Sequence, residues 1–200
     1  MPSAWRFIRL WRSRVTSQGM SEHLKAHKAG TPYFCTLTVV GWADVFTRAR
    51  NAEVIVQSLA FCQANKGLEL FAYGLMPSHL HLIARVQQGR LSDVIRDFKS
   101  YTAKRLLELI AMEPGESRKE WLMRLFTEAA QESRQNQELM FWQKTTHPIE
   151  ITHPEMFDQK VEYIHNNPVK EGFVTLPEHY AWSSAHPESP LKMFDHDPLS

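Results

Sequence analysis

The chain reads as an α+β protein, an antiparallel sheet with helices packed on one face. Three observations predict it. Tyr33 to Val40 is a run of β-branched and aromatic residues. Leu68 to Val86 holds two further strand-like runs, parted only by Pro77-Ser78. Around them lie segments whose apolar residues recur at helical spacing.

Taken in order, Tyr33 to Val40 is the first strand. Asn51 to Asn65 follows with Val54, Ile55, Leu59 and Phe61 or Cys62 at helical spacing, and Asn65-Lys66-Gly67 ends it. Leu68 to Met76 is the second strand, and His79 to Val86 the third, close enough to pair antiparallel with it. Two helices come next, Ser92 to Ile110 with Ser92 as cap, and Glu116 to Ala130. After the polar stretch Gln131 to Glu138, Leu139 to Gln143 is expected as the fourth strand. Thr152-His153-Pro154-Glu155 has a capping-box pattern with proline in the first turn. It opens a helix expected to stop near Asn167, before Pro168. The order β-α-β-β-α-β plus a further helix is that of a ferredoxin-like (RRM-like) sandwich.

A hydrophobic share of 43% in 200 residues supports one well-buried core. The main domain is expected over residues 31–186, with an N-terminal extension over 1–30 and a tail over 187–200. No apolar run approaches the ~18 residues of a membrane span, and the N-terminus makes a poor signal peptide. Cys35 and Cys62 sit in apolar stretches and read as buried thiols, which suits a reduced, cytoplasmic protein. Net charge is only +1, so global basicity does not advertise nucleic acid. Locally, residues 1–30 carry six Lys/Arg against Glu22, and residues 88–105 carry five against Asp93 and Asp97. Such patches can follow a phosphate backbone, though solvated helix faces give similar counts.

His79-Leu80-His81 lies in a predicted strand, where alternate side chains share a face. Both imidazoles therefore point one way, a preset pair for a divalent metal, while Leu80 and Leu82 point to the other layer. In the last helix, Phe157, Val161 and Ile164 form the core stripe. Tyr163 lies roughly 120° from that stripe, beside Lys160 and Asn167. Asn167 shares the face of Tyr163, so its amide oxygen reaches what the phenol reaches. Imidazole and carboxamide together suit Mg²⁺ or Mn²⁺. On periodicity alone, a packing tyrosine and a helix-ending asparagine fit better.

The combination carries more. Met76-Pro77-Ser78-His79-Leu80-His81-Leu82, Phe98-Lys99-Ser100-Tyr101-Thr102, Phe141-Trp142-Gln143, Tyr163-Ile164-His165-Asn166-Asn167-Pro168-Val169-Lys170-Glu171-Gly172 and Trp182-Ser183-Ser184-Ala185 resemble the REP-associated tyrosine transposases in order and spacing. These belong to the wider single-tyrosine HUH insertion-sequence transposase superfamily, and the resemblance spans about residues 31–186. It implies an HUH endonuclease fold, with His79 and His81 as metal ligands and Tyr163 as nucleophile. The third ligand falls on Asn167, with Asn166 as the alternative. The implied activity is cleavage and rejoining of single-stranded, hairpin-bearing DNA through a 5′-phosphotyrosine, with Mg²⁺ or Mn²⁺.

Tyr101 is the rival nucleophile, but Arg105, four residues on, cannot ligate a metal. Lys99, Lys104, Arg105 and Lys170 are expected to contact DNA phosphates. Trp142 and Phe141 are candidates for stacking on unpaired bases, with core packing the alternative for at least one. Tyr180 and Trp182 are expected to pack the tail onto the domain. A non-catalytic hairpin-binding module and a metal-dependent phosphohydrolase are the rival functions. The protein is expected to act as a monomer or homodimer. The insertion Glu113 to Glu138 is longer than in compact relatives.

Overall fold

The structure is a computed structural model that describes residue 26, residues 28–133 and residues 138–195. Residues 1–25 of the expected N-terminal extension, with Arg6, Arg9, Arg12 and Arg14, lie outside the described residues, as does the end of the tail with Asp197. The elements are β1 (Tyr33–Thr38), α1 (Ala49–Lys66), β2 (Leu68–Leu75), β3 (His79–Val86), α2 (Leu91–Met112), α3 (Lys119–Glu132), β4 (Ile149–Glu150) and α4 (Pro154–Lys170). The sheet order is β2-β3-β1-β4, antiparallel throughout. That is the order expected of a ferredoxin-like sheet, in which β3 enters between the parallel pair β1 and β2.

Strand alternation divides the sheet into two faces with different coverings. Tyr33, Cys35, Leu37, Leu80, Leu82 and Ala84 face the main core, which Ile55 and Leu59 of α1, Ile95 and Phe98 of α2, and Phe126 of α3 complete. Phe34 and Ile83 face the other way and meet Ile151 and Ile164, with Phe157 and Val161 packed against them. The expected stripe of the last helix is therefore the one it buries. Its partner, however, is the second face of the sheet, so helices cover both faces rather than one. This matters because the histidines lie on that second face.

The fourth strand is not where the sequence suggests. At Leu139 to Gln143 only one isolated bridge forms, Val39 with Trp142, and the two-residue β4 pairs with Tyr33 and Phe34 instead. Phe141 and Trp142 are both buried, in edge and tilted contact with Phe46, and Phe141 also with Phe126. Their aromatic residues signal core filling at the end of β1, not a ladder. Two caps also differ. Arg90 precedes α2, with Ser92 buried inside its first turn, and His153 precedes α4, where Thr152 Oγ1 bonds His153 Nδ1 at 3.0 Å. Pro154 does occupy the start of α4 as expected.

The last helix runs three residues past its expected end, through Pro168 to Lys170. A proline removes only its own N–H bond, here the one to Ile164. Glu171 N–H still donates to Asn167 O, and Phe173 N–H to Pro168 O. The tail then lies along β2: Leu75 N–H donates to Trp182 O, Ser184 N–H to Tyr73 O, and Tyr180 Oη to Leu75 O at 2.9 Å. Tyr180 and Trp182 hold the tail as expected. Cys35 and Cys62 are buried, unpaired thiols, pushed by burial up to about 12 and about 11. Among the described residues no helix is long and apolar enough to cross a membrane.

Candidate active site

The register of β1 on β3 sets Thr36 opposite His81 and Thr38 opposite His79. Directly opposed side chains meet, and Thr36 Oγ1 lies 2.9 Å from His81 Nδ1. Ser78 Oγ lies 3.1 Å from His79 Nδ1. The two imidazoles stand edge to face with centroids 4.6 Å apart, and Phe34 stacks on His81 at 5.5 Å. Burial pushes His79 down to about 4 and His81 to about 3, the latter helped by His79 and Lys160 nearby. Both are therefore neutral near pH 7, the form in which an imidazole nitrogen ligates a metal.

Helix α4 crosses this face closely because β2 carries Gly74 beneath it. A Cβ at Gly74 would meet Ile164 Cγ2 at 3.1 Å and the Ile164 carbonyl oxygen at 3.3 Å. Gly74 pairs with His81 across β2 and β3, so the close approach falls beside the histidines. Asn167, 8% exposed, thereby reaches His81, with Nδ2 3.2 Å from Nε2. Tyr163, four residues earlier, packs its ring edge-on to His81 at 5.2 Å and to Phe34 at 5.9 Å. It remains 39% exposed. Lys170 lies over the Tyr163 ring at 5.7 Å, and Lys160 over Phe34 at 5.0 Å. The extension of α4 past Pro168 is what brings Lys170 to the tyrosine. Asn166 instead bonds back to Glu162 O at 3.1 Å, away from the pair.

The donor set fits a divalent cation. With Thr36 accepting from Nδ1–H, His81 keeps the Nε2 lone pair toward Asn167, the tautomer a ligand needs. A half-turn of the Asn167 amide offers Oδ1 in place of Nδ2. Among the described residues no group of three His, Cys, Asp or Glu side chains forms a metal cluster. The set here is two imidazoles and an amide, which differs from a structural zinc site.

Other sequence candidates lie elsewhere. Trp142 is 4% exposed and its Nε1–H donates to Thr102 Oγ1 at 3.0 Å, so its faces are closed to a base in this fold. Lys99 turns inward, donating to Gln143 O at 2.7 Å and Lys144 O at 3.3 Å, and burial lowers it to about 8. It ties α2 to the 143–144 segment and presents no free ammonium to a phosphate. Lys104 is exposed, whereas Arg105 pairs with Glu108. Arg90 and Arg96 pair with Asp93, and Arg96 also with Asp97, so the 88–105 patch is largely neutralised within α2. Tyr101 is exposed on α2, which packs on the main-core face, so the sheet separates it from the histidines.

Sequence reasoning missed Thr36, Gly74 and Trp42. The first two matter through strand register, which no local pattern encodes. Trp42 follows β1 in a short 3-10 turn, 61% exposed, with its ring edge-to-face on His79 at 5.3 Å. The pair Gly41-Trp42, a breaker then a large aromatic, is the signal that was available.

Residues 43–135 match the family model described as IS200-like transposase, a stretch that includes both histidines and ends before Tyr163. Among curated proteins none matches the sequence. Among solved structures, the chain is similar to a REP-associated tyrosine transposase bound to a REP hairpin. Identity is 20%, 84% of each chain is covered, and the TM-score is 0.56, a likeness of fold. The family model bears out the resemblance over the histidine region, and the solved structure bears out the fold it implies.

Proposed function

We propose that the chain is a single-tyrosine transposase that cuts and rejoins single-stranded DNA beside a hairpin. The observation that carries this reading is the convergence of Tyr163, Asn167, His79 and His81 on one face of β3. The IS200-like match over the histidine region and the hairpin-bound relative support transposition and hairpin DNA.

The phenol of Tyr163 has a partly open path to solvent, so a phosphate can approach it. Its oxygen attacks phosphorus and gives up its proton, the bond from phosphorus to the 3′ oxygen breaks, and the departing 3′ oxygen takes up one proton, so the protons balance. The product is a 5′-phosphotyrosine and a free 3′-hydroxyl. In the reverse sense, a 3′-hydroxyl attacks the phosphotyrosine, the DNA is rejoined and the phenol is released. No external energy is needed, since one phosphoester replaces another. His79, His81 and Asn167 are the residues that would hold a divalent cation, Mg²⁺ or Mn²⁺. That cation, when bound, polarises the scissile phosphate. Lys170 and Lys160, on either side of the tyrosine along α4, offset phosphate charge.

The test is covalent capture. A labelled hairpin with a single-stranded flank, incubated with Mg²⁺ or Mn²⁺, should yield a protein–DNA adduct on a denaturing gel. Tyr163→Phe should abolish the adduct and retain hairpin binding, while Tyr101→Phe keeps both. Cleavage without any adduct would refute the reading in favour of hydrolysis by water. Binding without cleavage in either metal would refute it in favour of a non-catalytic hairpin binder.

A further inference from the structure

From the setting of Trp42 we infer that its indole is the platform on which an unpaired nucleobase next to the scissile phosphate stacks. The inference rests on the single-stranded DNA reading above and adds the residue that grips the strand. Three observations point there. The indole touches His79 edge-on at 5.3 Å, so a base lying on its face adjoins the reacting phosphate. It is 61% exposed, unlike Phe141 and Trp142, which fill the core at the end of β1. And its backbone sits at φ 55, the left-handed region, where a residue with a Cβ is disfavoured.

The turn that holds it there is built firmly. Trp42 N–H donates to Val39 O at 3.1 Å, and Gly41 before it is also left-handed at φ 62. A Cβ at Gly41 would come within 2.9 Å of Leu125 on α3, so the turn is pressed onto that helix. A large apolar ring in solvent, on a backbone that glycine would suit better, contributes little to folding. Such residues persist where the side chain has work to do on a ligand. Every base offers a π-face, so this contact grips a single strand without reading its sequence.

The experiment is an abasic scan of the single-stranded flank of a hairpin oligonucleotide, read as equilibrium binding. Removing one flank base should weaken wild-type binding about 5- to 150-fold, the span expected for one stacked base. Trp42→Gly should weaken the intact oligonucleotide by the same factor and lose sensitivity at that one position. Trp42→Phe should retain much of both. Glycine suits the left-handed backbone, so Trp42→Gly should melt no earlier than wild type. Fluorescence quenching on binding, present in the wild type and reduced in Trp42→Phe, gives a second readout that does not depend on the glycine variant. A tryptophan that merely braced His79 would alter cleavage yet leave the abasic profile unchanged, and that result overturns the inference. So does a Trp42→Gly protein with wild-type affinity, while adduct formation through Tyr163 would stand. A wild-type protein that ignores hairpin DNA overturns the proposed function and this inference with it.

Discussion

Thr36→Val replaces a hydroxyl by a methyl of nearly the same shape at a single point of the site. The lost contact is the 2.9 Å bond to His81 Nδ1, made by a side chain directly opposite on β1. His81 is 4% exposed, so water cannot freely take the place of the hydroxyl. A buried donor left unpaired costs about 1–3 kcal/mol. For a chain of this size that lowers Tm by roughly 2–12 °C, at about 2–4 °C per kcal/mol. The imidazole can relieve the loss by moving its proton to Nε2 and meeting a turned Asn167 amide. That relief removes the Nε2 lone pair from the site, so either outcome damages it. Loss of such a supporting hydrogen bond typically lowers metal affinity or activity about 10- to 100-fold. The assays are a thermal melt, the rate of adduct formation at limiting Mn²⁺, and ¹⁵N shifts of His81, which distinguish the two tautomers. Thr36→Ser should restore all three. Wild-type melting and wild-type adduct rate in Thr36→Val would refute the claim that Thr36 orients His81.

Gly74→Ala should push α4 off the sheet by a few tenths of an ångström, because the new Cβ meets Ile164 at 3.1 and 3.3 Å. A cost of about 1–3 kcal/mol is expected in a melt. Adduct formation should fall about tenfold as Tyr163 and Asn167 shift from the histidines, with single-stranded binding little changed. Away from the site, Arg48 and then Arg118 hold the Glu116 carboxyl down to about 2 from its ordinary 4.5. The folded value lies below the unfolded one, so this stabilisation is complete above about pH 4.5 and is lost as pH falls toward 2. Glu116→Gln should therefore remove about 1–3 kcal/mol at pH 7, after allowance for partial exposure of the arginines, and flatten the acid side of a stability–pH curve.

Local chemistry alone determined much of this protein. Alternation fixed the three long strands, the shared face of His79 and His81, and the separation of Leu80 and Leu82 onto the core side. Helical periodicity fixed the stripe of Phe157, Val161 and Ile164 and set Tyr163 and Asn167 off it. These are properties of neighbours along the chain, and period-2 and period-3.6 geometry carries them directly. The charge counts and aromatic runs misled where the side chains had partners of their own. Arg90, Arg96 and Arg105 are paired with carboxylates of α2, and Lys99 and Trp142 are hydrogen-bonded inward.

Only the tertiary structure decided which face of the sheet the last helix would cover, and hence that Tyr163 and Asn167 meet the histidines at all. That meeting depends on the β2–β3–β1 register, which sets Gly74 and Thr36 on either side of His81. Likewise only the structure shows that α4 continues through Pro168 and so lays Lys170 over the phenol. The physical reason is that these contacts join residues distant in sequence. Their energy comes from close packing and from hydrogen bonds completed across elements, which a local pattern can permit but cannot specify.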